Sequence, residues 1–209
     1  MSKPSIWVAG AGGHAKVVIS TLRAAGCRIA GVLDDDRRKW GSRILGCRVS
    51  GPISKLRQGP PRRAVLAIGS NALRRTVSLK FASVRWTTAV HPAAYVDPDA
   101  RIGEGTVVFA GAVVQAATVI GRHCIINTSA SVDHDCQLGD FCHVAPGVHL
   151  AGEVTLGDGV IMGIGAVTRQ RVRIGSWATV GAGAVVLSPL PAACVAVGIP
   201  AKPRKARAR

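Results

Sequence analysis

Aromatic side chains are scarce in this chain of 209 residues, at 4%. Its core must be packed from Val, Ile, Leu and Ala, which fits a narrow interior. Acidic residues are also few: 11 Asp and Glu stand against 27 Lys and Arg, a formal net charge of +16. That balance favours anionic partners. No aromatic-interleaved basic stripe or nucleic-acid motif accompanies it, so the expected partners are small anions such as nucleotide diphosphates and coenzyme A, not nucleic acid. Lys202, Arg204, Lys205, Arg207 and Arg209 read as a disordered, solvated basic tail. No Cys-x-x-Cys pair occurs among Cys27, Cys47, Cys124, Cys136, Cys142 and Cys194, and reduced thiols are expected. No apolar run is long enough to span a bilayer. Residues 1–4 carry no apolar secretion segment, which points to a cytoplasmic protein.

What is present is a comb of apolar residues six apart. It runs Ile102, Val108, Val114, Ile120, Ile126, Val132, Leu138, Val144, Leu150, Leu156, Met162, Thr168, Ile174, Val180 and Val186. Only Thr168 is polar. Every third tooth is followed by glycine, as in Ile102-Gly103, Ile120-Gly121 and Leu138-Gly139, so those pairs recur at one fixed interval, three teeth long. The pattern predicts a solenoid whose triangular coil has three six-residue sides. From Val96 to Val186 it allows about five coils. Cys124, Cys136 and Cys142 share the six-residue spacing and read as small side chains packed in equivalent coil positions.

Residues 1–90 have another rhythm. Ile6-Trp7-Val8-Ala9 reads as a buried strand and Gly10-Ala11-Gly12-Gly13-His14-Ala15 as a glycine-rich turn. A helix with Val18, Leu22 and Ala25 on one face follows. Arg28 to Leu33 and Ala64 to Ile68 give further strands, and a helix through Leu73, Val77 and Phe81 comes next. This predicts a small Rossmann-like parallel α/β domain over residues 1–90, then a solenoid domain over residues 91–209. Gly59-Pro60-Pro61 reads as an internal loop. The glycine-rich turn opens a helix whose free N–H groups suit a phosphate. Asp34 follows at the end of the second strand, at the distance from Gly12 that a dinucleotide fingerprint places its acid. Nucleotide or nucleotide-sugar binding is the preferred reading, beside a purely structural turn or a redox cofactor.

Asp133-His134-Asp135 follows a comb residue and falls on a turn. A histidine flanked by carboxylates suits general-base work, because a carboxylate fixes its tautomer. Read from spacing alone, an exposed loop histidine fits equally well. His123 and His149 read as packing or surface residues, and His91 as structural. The histidines do not reproduce the paired zinc ligands of γ-type carbonic anhydrases, so no metal is expected.

Taken together, these residues resemble a known family. The chain is similar to the sialic-acid O-acetyltransferases and nucleotide-amino-sugar N-acetyltransferases, including the bacillosamine and perosamine enzymes. The likeness rests on Gly10-Ala11-Gly12-Gly13-His14, Leu33-Asp34-Asp35, Ala67-Ile68-Gly69-Ser70-Asn71, Asn127-Thr128-Ser129, Val132-Asp133-His134-Asp135-Cys136, His143-Val144, Leu150-Ala151-Gly152 and Gly198-Ile199-Pro200-Ala201-Lys202. It implies a left-handed parallel β-helix, against the usual right-handed crossover. It also implies a homotrimer with acetyl-CoA in the grooves between prisms, and N-acetylation of a nucleotide-linked 4-amino-4,6-dideoxy sugar. O-acetylation of sialic acid is the alternative within the family, and a catalytically silent trimeric scaffold the alternative outside it. Residue by residue, it implies that His134 is the general base, oriented by Asp135 or Asp133. His143 would contact substrate or thioester, Asn127 would lie beside the amine, and the Gly152 N–H would hold the acetyl oxygen. Ile164, Gly181 and Ala182 match a pantetheine groove. Gly12, Gly13, His14, Asp34 and Asp35 match a nucleotide pocket, with Gly69 and Asn71 near its rim.

Overall fold

A computed structural model describes residues 5–59 and 62–204. Pro60 and Pro61 of the expected loop, residues 1–4, and Lys205, Arg207 and Arg209 of the basic tail lie outside the described residues. The chain divides into two units, Met1–Pro92 and Ala93–Arg209.

The first unit is built on a parallel sheet in the order Arg28–Leu33, Ser5–Ala9, Arg63–Leu66, Arg85–Trp86. Helix α1 (Gly13–Ala24) buries Ala15, Val18, Ile19 and Leu22, while Ala25 ends it as the C-cap. Helix α2 (Asn71–Lys80) starts at Ser70, whose hydroxyl accepts the Leu73 N–H at 3.3 Å. Val77 and Phe81 join the core with Leu66 and Trp86. Leu73, on the same helix, is 51% exposed. The first three strands end at Ala9, Leu33 and Leu66, and their following loops form the side of the sheet where α/β folds bind ligands. Gly10 is required there: its φ is +113°, and a Cβ would lie 2.7 Å from the Ala67 carbonyl oxygen.

The second unit is a parallel solenoid of two-residue strands on three faces. One face runs from Val107–Val108 through Ile125–Ile126, His143–Val144, Ile161–Met162 and Thr179–Val180 to Val195–Val197. The next runs from Tyr95–Val96 to Val185–Val186, and the third from Arg101–Ile102 to Arg173–Ile174. The third face has five strands and the second six, and the solenoid makes about seven turns, more than the five coils counted along the sequence comb. Every comb residue from Val108 to Val186 is buried. The register advances by one whole coil per rung, as in Val107–Ile125–His143–Ile161–Thr179.

The corners explain the six-residue period. Every sixth residue turns the chain through the left-handed region: Ala117, His123, Ser129, Asp135, Phe141, Glu153, Arg171 and Trp177 do so at φ between 54° and 62°, and Gly105, Gly147, Gly159 and Gly165 share the series. Small polar side chains tie successive corners. Thr118 Oγ1 donates to the Asp133 carbonyl at 2.7 Å, and the Cys124, Cys136 and Cys142 thiols reach the carbonyls of Gly139, Ala151 and Gly157 at 3.1, 3.2 and 3.2 Å. Burial raises the Cys136 pKa to about 11, so this thiol is a hydrogen-bond donor and not a nucleophile. The tail begins later than expected. Lys202–Arg204 is not solvated coil but an antiparallel strand on Val195–Val197, which satisfies backbone groups on that edge.

The close stacking has a measurable consequence. A Cβ at Gly121 would fall 2.6 Å from Asp140 Oδ1 and the Gly139 carbonyl carbon, whereas one at Gly13 meets nothing within 4 Å. Gly121→Ala is expected to destabilise by about 1–3 kcal/mol through overpacking. Gly13→Ala should leave the midpoint of chemical denaturation unchanged or raise it.

Candidate functional site

The three loops of the first unit enclose a cleft of about 490 Å³ lined by Gly12, Gly13, His14, Asp34, Asp35, Lys39 and Gly69. Gly12 and Gly13 open onto free space at the start of α1, where no side chain caps the first N–H groups. Asp34 is not idle in this cleft. Its carboxylate accepts the Ala11 N–H at 2.7 Å, the Asp36 N–H at 2.8 Å and the Lys39 ammonium at 3.0 Å. Burial opposes its charge, but these donors outweigh that cost and hold its pKa below the usual carboxylate value. Asp35 accepts the Ile53 N–H at 2.8 Å. Both acids therefore shape the loops that form the cleft.

Asn71 departs from expectation. It is 3% exposed, within the first turn of α2, and its amide oxygen accepts from Arg74 Nη2 at 2.9 Å. It supports the cleft from behind and does not line it. Arg74, which carried no sequence signal, is buried at 1% exposure. Its Nη1 holds the Ile68 and Gly69 carbonyls at 3.0 and 3.1 Å. Burial, aided by the Arg74 charge, lowers the His14 pKa from 6.5 to about 4, so His14 is neutral near pH 7.

In the solenoid, His134 and Asp135 occupy a corner between the second and third faces. Asp135 stands at φ 58°, a conformation aspartate tolerates, and its side chain turns back on its neighbour. Its Oδ2 lies 2.7 Å from His134 Nδ1. With the proton on Nδ1, the lone pair of the neutral ring is at Nε2. Asp133 Oδ1 accepts the His134 N–H at 2.9 Å, so Asp133 braces the backbone while Asp135 holds the ring. The hydrogen bond to Asp135 raises the His134 pKa above 6.5, with further contributions from the charges of Asp133 and Glu153.

Gly152 lies one coil on, against the ring. A Cβ there would sit 2.6 Å from His134 Nε2 and Cε1, so only glycine admits the imidazole. The Gly152 N–H makes no hydrogen bond among the described residues. Its direction follows from the preceding carbonyl. Ala151 O accepts from the buried Cys136 thiol, and a trans peptide points N–H opposite to C=O. The Gly152 N–H therefore faces away from the lumen, beside a recess of about 400 Å³ lined by His134, Glu153, Gln170 and Arg171. Arg171 is held by Glu153 at 2.9 Å. Neither residue stood out in the sequence, because a charged pair on a corner looks like any solvated surface.

Asn127 and His143 form a separate pair. The Asn127 amide oxygen accepts the Thr128 N–H at 2.8 Å, which turns Nδ2 toward His143 Nε2 at 3.1 Å. Nε2 then accepts, and the His143 proton sits on Nδ1. This pair marks the corner between the first and second faces. Gly181 repeats the Asn127 position three coils on, and Ile164 and Ala182 repeat that of Thr128. Ile164 is 63% exposed there. The expected site residues are thus divided between two edges of one prism. His149 is bonded to Ser131 Oγ at 2.8 Å, and buried His123 stacks on Phe141 with ring centroids 5.4 Å apart. Among the described residues, no three His, Cys, Asp or Glu side chains come together as a metal site, and no helix is long and apolar enough to cross a membrane.

Known proteins share this fold. The PglD N-terminal domain model matches residues 5–81, and the bacterial transferase hexapeptide model (six repeats) matches residues 117–152. A mutant perosamine N-acetyltransferase from Caulobacter crescentus, solved with CoA and GDP-perosamine, is similar at 41% identity and TM-score 0.91, over 98% of both chains. The acetyltransferase domain of PglB from Neisseria gonorrhoeae FA1090, in complex with acetyl coenzyme A, is 39% identical with TM-score 0.91, over 97% of this chain and 100% of that one. The UDP-N-acetylbacillosamine N-acetyltransferase of Bacillus subtilis is 36% identical over 109 residues, so the match spans 50% of each protein. With a full-length relative at this identity and a family model on each unit, the chain belongs to the CoA-dependent nucleotide-amino-sugar N-acetyltransferase family of left-handed parallel β-helix proteins.

Proposed function

We propose that the protein transfers acetyl from acetyl-CoA to the amine of a nucleotide-linked 4-amino-4,6-dideoxy sugar, for surface-glycan or glycoprotein sugar synthesis. The observation that carries this reading is the pairing of His134 with Gly152. A ring whose Nδ1 is held by Asp135 at 2.7 Å presents a basic Nε2 on the side of an unpartnered backbone N–H. His134 Nε2 removes a proton as the amine attacks the thioester carbonyl carbon. The C–N bond forms, the C–S bond breaks, and coenzyme A leaves as the thiol with that proton. The Gly152 N–H stabilises the charge that develops on the acetyl oxygen. Holding amine and thioester in line contributes up to about 7–11 kcal/mol.

The cleft of the first unit takes the nucleotide. The N–H groups at the start of α1 and neutral His14 meet the diphosphate, with Gly12 and Gly13 giving it room. Ile164, Gly181 and Ala182 line the pantetheine path, and Asn127 with His143 meets substrate. Because these groups and His134 lie on different edges of a prism, the active site is completed by a second copy in a homotrimer.

Thiol release should be measured against UDP-, dTDP- and GDP-linked 4-amino-4,6-dideoxyhexoses and against sialic acid. Rapid turnover of one amino sugar supports the reading and identifies its nucleotide, whereas activity on sialic acid alone replaces it with O-acetylation. His134→Ala is expected to lower kcat at least about a hundredfold while acetyl-CoA affinity stays unchanged; wild-type-like turnover would remove His134 from the mechanism. The base works in its neutral form, so kcat/KM should rise with pH through an apparent pKa above 6.5 and then level off. Asp135→Asn should shift that limb to lower pH and reduce the plateau; an unmoved limb contradicts the assignment. Co-expressing His134→Ala with Asn127→Ala should restore about a quarter of wild-type activity if each site spans two copies, by random mixing in a three-fold assembly. No recovery would put each site within one chain.

A further inference from the structure

Thr168 is the only polar tooth in the comb, and its side chain is buried at 8% exposure. A hydroxyl there loses water and needs a partner. The backbone around it is also irregular. At the end of each strand on this face, the N–H after the comb residue donates to the comb carbonyl one coil on. Asp97 reaches Val114 at 2.9 Å, Gln115 reaches Val132 at 2.9 Å, Asp133 reaches Leu150 at 3.0 Å and Arg169 reaches Val186 at 3.1 Å. Ala151 breaks the series: its N–H donates to Thr168 Oγ1, at 3.1 Å. The rung between Leu150 and Thr168 is lost, while His149–Val167 remains. The break therefore falls on the residue that precedes Gly152.

The comb points inward, so the hydroxyl lies on the lumen side of the strand and draws the Ala151 N–H toward it. The Ala151–Gly152 peptide is held by the Cys136 thiol on the Ala151 carbonyl at 3.2 Å, and the Gly152–Glu153 peptide by the Arg171 N–H on the Gly152 carbonyl at 3.0 Å. Between these ties the Gly152 N–H is left without a hydrogen-bond partner among the described residues, beside the His134 ring. We propose that Thr168 is a positioning residue: its hydroxyl replaces a ladder carbonyl as acceptor and sets the angle at which the Gly152 N–H faces the reacting acetyl oxygen. This deepens the acyl-transfer reading and rests on it. It also accounts for a polar residue where a methyl group would fill the lumen better.

Thr168→Val removes the hydroxyl at nearly constant volume and completes the apolar comb. The variant should melt at the wild-type temperature or above, yet its kcat should fall at least about tenfold, since a misdirected oxyanion donor loses part of the 10²–10³ that such a donor supplies. KM for both substrates should stay within about twofold. Thr168→Ser keeps the hydroxyl and should retain kcat within about threefold even though it loses a packed methyl. Wild-type kcat in Thr168→Val, or an equal loss in both variants, overturns the proposal. A crystal structure of Thr168→Val gives a reading that does not depend on turnover: the Ala151 N–H should return to the carbonyl of residue 168 and the Gly152 peptide should rotate. An unchanged peptide overturns the positioning role, whereas a silent wild-type enzyme with a rotated peptide in the variant would overturn only the acyl-transfer reading.

Discussion

Coil-to-coil backbone hydrogen bonding is the constraint on which the solenoid unit depends. Each coil donates to the next at a fixed offset of one full coil, from Tyr95–Val96 to Val185–Val186 on one face. Such a ladder closes only if every corner turns through the same angle. The left-handed residue at every sixth position supplies that turn, even where it is His123, Phe141 or Trp177. The buried comb then follows, because residues in register stack on one another along the axis.

This constraint also builds the chemistry. Side chains one coil apart in sequence are forced into neighbouring layers, so His134 must lie against Gly152. Gly103, Gly121, Gly139 and Gly157 are pressed against backbone or side-chain atoms of the next coil, at 2.4 to 2.6 Å from a hypothetical Cβ. Gly152 is pressed instead against the imidazole. The same close approach that elsewhere makes glycine a packing necessity here places a backbone N–H beside a base. Thr168 and Cys136 exploit the remaining freedom, which is the tilt of individual peptides within the ladder.

The first unit is organised differently. Its cleft is made by loops after parallel strands, and buried polar groups fix their shape. Asp34 gathers three donors, and Arg74 gathers two carbonyls and the Asn71 amide. An acid at the end of the second strand reads as a ligand contact in the sequence. In the structure its oxygens are already engaged by Ala11, Asp36 and Lys39.

Period and composition alone determined the solenoid, its coil length, the parallel sheet before it and the glycine-rich turn, because these are local regularities written in one residue every six or every two. Motif likeness singled out His134, Asp135 and Gly152. The tertiary structure alone decided which partners those groups have. Arg74 and Asn71 were illegible as a buried pair because helical spacing puts them on one face without saying whether that face meets water. Thr168 stood out in the sequence only as a flaw in the comb. Its partner, the Ala151 N–H, belongs to the preceding coil, and only the stacking of coils brings the two within 3.1 Å.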